Sequence, residues 1–266
     1  TRLTGVGNIA DRVLATENHK SNSQLTYDTG LRILVAEDNQ FIRSLLDHIL
    51  NTMGITVAMA SNGMAACELA ETAQFDLVLM DLHMPVMGGL EAARKIRQGV
   101  NSKTPIIALT ADVFACDRRD PSTACIDDYL HKPVSEAGLS QVLQKWSGRQ
   151  AGDNPATGNT TLLVNNSSED IRKTFDSTPP DFHDRLVNAL HTEIDAIRSA
   201  TQKRLPKATR EHVHQLKGIV DYFRLDEFLS SFNALQRAVS AGEDETVLAP
   251  LLDELESLTR KTAGAS

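Results

Sequence analysis

Residues 76–89 read DLVLMDLHMPVMGG and contain the pattern that decides the fold. Residues 77–80 are four apolar side chains in a row, which is typical of a short strand buried on both faces of a parallel sheet. Asp81 follows directly, and the carboxyl ends of such strands are where ligands and chemistry collect. Asp81 is therefore a candidate metal ligand or nucleophile. A helix cap is the weaker alternative, because seven residues separate Asp81 from Gly89.

The alternation of strand and helix extends outward on both sides of this stretch. Further strands are predicted at residues 31–36, 55–59, 105–110 and 127–130, with helical patterns between them and a closing helix at 135–146. Strands that alternate with helices indicate a parallel sheet with right-handed crossovers. The sequence thus predicts a doubly wound α/β unit with a parallel five-stranded sheet.

Polar side chains stand at the ends of four of these strands. They are Glu37 and Asp38 after the first strand, Asp81 after the third, Thr110 at the end of the fourth and Lys132 after the fifth. Because such ends lie along one edge, three carboxylates, a hydroxyl and an ammonium group should converge. The carboxylates suit Mg²⁺, and Mg²⁺ beside a lysine and a hydroxyl suits a phosphoryl group. The alternative is a set of unrelated caps and surface charges.

Residues 31–148 resemble the receiver domain of two-component signalling, through the motifs LVAEDN, LVLMDLHMPVMGG, IIALTA and DDYLHKP in this order. The resemblance implies a flavodoxin-like sheet of strand order 2-1-3-4-5 and makes Asp81 the phosphoryl-accepting nucleophile. The Mg²⁺ ligands that it implies are Glu37, Asp38, Asp81 and the backbone carbonyl of His83.

The same resemblance implies roles for four further residues. Thr110 and Lys132 would contact the phosphoryl oxygens, and Tyr129 would act with Thr110 as a switch linked to phosphorylation. Pro133 occupies the position at which the family usually has a cis-proline. One departure is Pro121, which is expected to shorten or break the helix after the fourth strand.

The second half of the chain has a different composition. Residues 1–30 and 149–177 are interpreted as an N-terminal linker or preceding segment and a flexible linker, and residues 178–262 as an all-helical domain. Four amphipathic stripes joined by short connections predict an antiparallel four-helix bundle. The stripes start at Phe182, Val213, Leu225 and Leu251.

One face of the second predicted helix combines three unusual residues. His214, Lys217 and Gly218 lie at i, i+3 and i+4 and off the apolar seam. The imidazole could attack phosphorus, the lysine could offset phosphoryl charge, and the glycine would let a partner approach; a solvated surface pair is the alternative. The sequence HQLKG resembles the H-x-L-K-G signature of histidine phosphotransfer domains, which are four-helix bundles. A metal shared with His212 is excluded, because residues at i and i+2 point about 200° apart.

Composition excludes several classes of function. A formal charge of −8 and a pI near 5.5 argue against a nucleic-acid-binding surface. No apolar run is long enough to span a bilayer, so no membrane contact is expected in this fragment. Neither nucleotide-binding glycine motif is present, so the fragment is expected not to use ATP. Three cysteines without C-x-x-C spacing suit a reducing, cytosolic setting, and the absence of an initiator Met indicates a piece of a longer protein.

Together the two resemblances imply the C-terminal receiver and histidine phosphotransfer domains of a bacterial hybrid sensor histidine kinase, in the cytoplasmic part of a membrane-bound sensor. The implied function is a Mg²⁺-dependent phosphorelay. A kinase phosphohistidine would donate to Asp81, Asp81 to His214, and His214 to a response regulator. The partners implied are the kinase core of the same or a related hybrid kinase and the receiver of a downstream regulator. The alternative is a phosphorylation-switched interaction module without internal relay; whether this fragment alone counts as an enzyme stays open.

Overall fold

The structure is a computed structural model that describes residues 30–110, 123–146, 181–223 and 225–263. The predicted linker at 149–177, most of the N-terminal segment and the predicted helix break at Pro121 lie outside these residues. The described part of the chain contains five strands and eight helices. In chain order they are β1 (Arg32–Ala36), α1 (Gln40–Thr52), β2 (Thr56–Ala60), α2 (Gly63–Thr72), β3 (Leu77–Asp81), α3 (Gly89–Ile96), β4 (Ile106–Thr110), β5 (Asp128–His131), α4 (Glu136–Trp146), α5 (Phe182–Gln202), α6 (Pro206–Tyr222), α7 (Asp226–Ala241) and α8 (Glu245–Ala263).

The five strands form one parallel sheet of order β2-β1-β3-β4-β5, which confirms the predicted doubly wound fold. Strand β3 is central and buried along its whole length, as its apolar run indicated. Its alternate side chains enter two separate cores. Leu79 packs with residues of α1 and α4 on one face, and Met80 packs with residues of α2 and α3 on the other. Asp81 is the last residue of the strand rather than the first residue after it.

Helices α5 to α8 form the predicted four-helix bundle. Helix α5 packs against α6 and α8, and α7 packs against the same two helices, so the four close into a ring. The three connections are short, which makes consecutive helices antiparallel. Leu190, Leu216, Leu235 and Leu255 are fully buried inside the ring. Among the described helices, none combines the length and the apolarity needed to cross a bilayer.

The bundle is docked against the sheet domain, and the two share one apolar core. The rings of Phe41 in α1, Phe182 in α5 and Phe223 after α6 form a triangle, with centroids 5.7 to 5.8 Å apart. The hydroxyl of Tyr222 accepts a hydrogen bond of 3.0 Å from the backbone amide of Val134. These contacts bring helix α6 to the edge of the sheet where the strands end.

Candidate functional site

Three carboxylates meet at the carboxyl ends of the neighbouring strands β1 and β3. One side-chain oxygen from each of Glu37, Asp38 and Asp81 lies within 4.8 Å of the other two. Glu37 is almost completely buried, with 1% of its side chain exposed. Such a group of hard oxygen donors repels itself unless a cation lies between them, so these residues fit a divalent metal ion.

Lys132 joins the acidic cluster from the loop that follows β5. Its ammonium nitrogen lies 2.8 Å from Oε2 of Glu37 and 2.9 Å from Oδ2 of Asp81. Burial disfavours the charge of this lysine, but the two carboxylates outweigh burial and raise its pKa. Burial also raises the pKa of Glu37 to about 7, against the opposing attraction of Lys132. The ammonium group is therefore held charged beside Asp81.

The backbone around Asp81 is tightly constrained by its neighbours. The amide of His83 donates a hydrogen bond of 3.1 Å to Oδ1 of Asp81. A Cβ atom at residue 89 would overlap the backbone carbonyl of Asp81, so only glycine fits at the start of α3. The peptide bond between Lys132 and Pro133 is cis, the isomer that the receiver resemblance implies.

Two other residues predicted from the receiver motifs lie on β4 and β5. The backbone carbonyl of Thr110 accepts a hydrogen bond of 2.8 Å from the amide of Lys132, which ties the ends of these strands together. Thr110 is half-buried and lines the same cavity as the acidic cluster, whereas Tyr129 is buried with 3% exposed.

Helix α6 contributes His214 to the same place. Its Nε2 atom lies 3.1 Å from Oδ2 of Asp38, and the side-chain amide of Gln215 donates a hydrogen bond of 2.9 Å to the same oxygen. The bond to Asp38 raises the pKa of His214, although partial burial opposes this. Lys217 forms an ion pair with Asp221 one turn further along the helix.

One cavity of about 690 Å³ contains both halves of the site. Most of the residues singled out in the sequence line it: Glu37, Asp38, Asp81, His83, Thr110, Lys132, His214, Lys217 and Gly218. Tyr129 and Pro133 are not among the lining residues. His212 lies apart and pairs with Glu193 of α5, as its different direction on the helix requires.

Further residues that sequence reasoning did not assign to the site lie on or beside this cavity. Gln236 of α7 and Tyr222 line it, and Asn39 and Gln215 join its two halves. Asn39 was detectable as a helix cap, because its Oδ1 accepts hydrogen bonds from the amides of Phe41 and Ile42. Its second partner, the carbonyl of Gln215, is 176 residues away and left no local signal.

Comparison with known proteins identifies the family of the sheet domain. Residues 33–144 match the family model of the response regulator receiver domain. Over 240 residues the chain is 32% identical to the sensor histidine kinase GacS of Pseudomonas protegens, a match that covers 85% of this chain and 26% of that protein. The sensor protein GacS of Pseudomonas syringae is 35% identical over 221 residues, covering 78% and 24%.

A solved receiver domain, that of the sensor histidine kinase PA1611 from Pseudomonas aeruginosa with a magnesium ion in its active site cleft, is 38% identical. The match covers 44% of this chain and 97% of the solved receiver domain, with a TM-score of 0.41. The chain spans about a quarter of the length of the two GacS proteins. Residues 33–144 belong to the response regulator receiver domain family, and the chain is homologous to the C-terminal parts of hybrid sensor histidine kinases.

Proposed function

We propose that the chain carries two consecutive steps of a phosphorelay. Asp81 accepts a phosphoryl group from a phosphohistidine of the kinase core, and His214 of the same chain receives it from Asp81. The observation that supports this proposal best is the shared cavity, in which the imidazole of His214 contacts the acidic cluster that contains Asp81. His214 would then donate to the receiver domain of a separate response regulator.

In the first step, a carboxylate oxygen of Asp81 attacks phosphorus in line with the leaving nitrogen. A P–O bond forms, and the P–N bond breaks with its electron pair returning to the donor imidazole. Lys132 stands 2.9 Å from Asp81 and can neutralise the equatorial oxygens as their charge develops. Thr110, at the end of the neighbouring strand, lines the same cavity and would donate its hydroxyl to one of these oxygens.

In the second step, the imidazole of His214 releases to solvent the Nε2 proton through which it bonds Asp38 and keeps its other proton on Nδ1. The freed Nε2 lone pair then attacks the phosphorus. The P–N bond forms, and the P–O bond breaks with its electron pair returning to the carboxylate of Asp81. Asp38 and Gln215 hold the imidazole and its helix against the acidic cluster before attack. Lys217 lines the cavity and can stabilise charge on the transferred group.

The acidic cluster would hold Mg²⁺ through Glu37, Asp38, Asp81 and the backbone carbonyl of His83. When bound, the ion would neutralise charge on the phosphoryl oxygens and on the carboxylates. Within the proposed relay, residues 31–148 form the receiver and residues 178–262 the histidine phosphotransfer domain. Tyr129 and Thr110 serve as the switch of the receiver, and Pro133 shapes the loop that carries Lys132.

A second candidate function is a regulatory interaction module in which phosphorylation of Asp81 only changes a surface. The docked interface favours it, because α1 and the loop after β5 are already engaged by the bundle. In this case the phosphoryl group would control docking and would never reach His214.

Label mapping distinguishes the two candidates. The protein is treated with labelled phosphoramidate and Mg²⁺, and aspartyl phosphate and phosphohistidine are followed separately in wild type, Asp81→Asn and His214→Gln. The relay predicts label at Asp81 and, only when Asp81 is intact, at His214; label that stays on Asp81 supports the interaction module. Direct labelling of His214 is measured in Asp81→Asn and subtracted. Asp47→Asn and His212→Gln are matched controls and should behave as wild type.

A further inference from the structure

The residues that follow the HQLKG motif include bulky side chains, and two of them lie against the receiver. Residues 219–223 read IVDYF, and the last two reach the receiver. Tyr222 is 1% exposed and Phe223 6% exposed. Both rings are buried at the junction, the surface where helices α5 and α6 of the bundle contact α1 and the loop after β5 of the receiver. The receiver contributes to the surroundings of both rings, because Val134 and Phe41 belong to it.

One contact at the junction involves only a backbone group of the receiver. The hydroxyl of Tyr222 accepts its hydrogen bond from the amide of Val134, the residue that follows Pro133. Any receiver with a residue other than proline at this position offers the same amide. This contact therefore favours receivers in general and does not distinguish one receiver from another.

A second contact at the junction involves a receiver side chain, that of the residue that caps helix α1. Nδ2 of Asn39 donates a hydrogen bond of 2.8 Å to the backbone carbonyl of Gln215. A Cβ atom at Gly218 would lie 3.1 Å from the same nitrogen, so the glycine leaves room for this amide. Aspartate could also cap α1, but it has no N–H group to donate and would place a carboxylate against a carbonyl.

The aromatic triangle is the second side-chain contact. Phe41 lies two residues after Asn39, and its ring meets Phe182 and Phe223 at 5.8 Å from each centroid. Because Asn39 caps the helix through the amide of Phe41, the two contacts are held in a fixed relation. A small or charged side chain at position 41 would leave the two bundle rings without this partner.

We propose that Asn39 and Phe41 are the specificity-determining residues by which the bundle selects a receiver. On the bundle, the residues that contact them are Gln215, Gly218 and Phe223. The partner that fits this surface is a receiver whose first helix is capped by asparagine and carries a large apolar side chain two residues later. The chain's own receiver meets both conditions. A downstream receiver must cover the same face to reach His214, so it is selected by the same two features. This inference rests on the proposed relay for its consequence, but its contacts can be tested without it.

The first test measures transfer from Asp81 to His214 after a short pulse of labelled phosphoramidate, in the full chain. Phe41→Ala and Phe223→Ala should each lower the transfer rate constant about tenfold. The double variant should be little worse than either, since both single changes remove the contact between these two rings. Phe41→Leu should recover most of the rate. Labelling of Asp81 should stay at the wild-type level in all of them.

The second test measures amide hydrogen exchange at Val134, which needs no phosphoryl transfer. In Phe41→Ala and in Asn39→Asp this amide should exchange at least tenfold faster than in wild type, whereas in Phe41→Leu it should stay protected. Wild-type transfer and wild-type exchange in Phe41→Ala and Phe223→Ala would overturn the inference and leave the relay intact. If wild type itself never labels His214, the relay fails, and the exchange measurement still decides whether these residues select the receiver.

Discussion

The edge of the sheet and the face of the bundle hold the two halves of one site in different ways. At the sheet edge, Glu37, Asp81 and Lys132 are almost enclosed and fixed by strand ends and by mutual contacts of 2.8 and 2.9 Å. On the bundle, His214 keeps 45% of its side chain exposed and is held by Asp38 and by the contacts of the junction. The receiver half is therefore preassembled, and the bundle half depends on docking.

This difference indicates that phosphorylation of Asp81 and selection of a receiver by the bundle depend on different residues. In the proposed relay, charge at the sheet edge would determine whether Asp81 is phosphorylated, and this should not depend on the bundle. Contacts of Asn39, Phe41 and Tyr222 with the bundle would determine whether the phosphoryl group moves on. Variants in the two regions should therefore affect different steps.

The largest effect is expected at Lys132. Lys132→Ala should lower the rate of Asp81 labelling about 100-fold, because removing one preorganised charge from a developing oxyanion costs that order of magnitude. The rate is measured with labelled phosphoramidate under saturating Mg²⁺. Lys95→Ala, which removes an exposed lysine paired with Glu91, is the matched control. If Asp81 in Lys132→Ala were labelled at a rate within twofold of wild type, the proposed role of the sheet edge in phosphorylation would be wrong.

A metal ion should produce the next largest effect, on stability. Saturating Mg²⁺ at 100 times its dissociation constant should stabilise the chain by about 2.7 kcal/mol, seen as a higher Tm than in EDTA. Asp38→Asn should lose most of this gain because one of the three carboxylate ligands becomes neutral. A Mg²⁺-dependent gain that is unchanged in Asp38→Asn would place the ion elsewhere.

The acidic cluster also predicts how stability depends on pH when metal has been removed. The folded state binds the proton of Glu37 more tightly than the unfolded state, since its pKa is raised from 4.5 to about 7. The contribution of this group to stability is therefore fully present below pH 4.5 and is lost as the pH rises to about 7. Denaturant midpoints in EDTA should show this loss, and Glu37→Gln should remove it. Equal pH slopes in wild type and Glu37→Gln would contradict the prediction.

A smaller effect is expected on the bundle face, at Gly218. In Gly218→Ala the new Cβ atom would lie 3.1 Å from Nδ2 of Asn39, so docking should weaken and transfer to His214 should slow several-fold. Alanine should at the same time stabilise the helix by up to about 1 kcal/mol relative to glycine. Slower transfer with unchanged Asp81 labelling and no loss of bundle stability would show that the bundle face affects only the transfer step. Slower labelling of Asp81 would contradict the separation of the two regions.

The smallest effect is expected for Tyr222→Phe, which removes one hydroxyl and leaves the ring. The amide of Val134 would lose its partner at the junction, and the expected loss is about 1 kcal/mol in the free energy of unfolding. Denaturant unfolding checks this value, with Tyr222→Ala as the larger truncation. A Tyr222→Phe variant as stable as wild type would show that the ring alone accounts for the contact.

Much of the receiver half was predictable from sequence, because its residues are positioned by strand ends. The apolar run before Asp81 predicted the central strand, and the alternation of strands and helices predicted the parallel sheet. Parallel strands bring their carboxyl ends to one edge regardless of the details of the loops. Glu37, Asp38, Asp81, Thr110 and Lys132 could therefore be grouped before any distance was known.

The junction could not be predicted in the same way. Its contacts join residues that are 88 and 176 positions apart and belong to different units. Apolar periodicity identifies Phe223 and Phe182 as core residues of a bundle, but it does not say that a third ring from α1 completes the cluster. The HQLKG motif singled out His214 through a resemblance. The sequence did not predict that the imidazole of His214 would lie against Asp38 of the other unit.

The most direct test of the account is how the transfer rate depends on protein concentration. The rate constant for movement of label from Asp81 to His214 is measured over a hundredfold range of concentration of the full chain. Because the docked arrangement places both residues in one cavity of the same chain, the account predicts a first-order constant that does not change across the range. A rate that rises in proportion to concentration would show that the phosphoryl group moves between chains and would contradict the account.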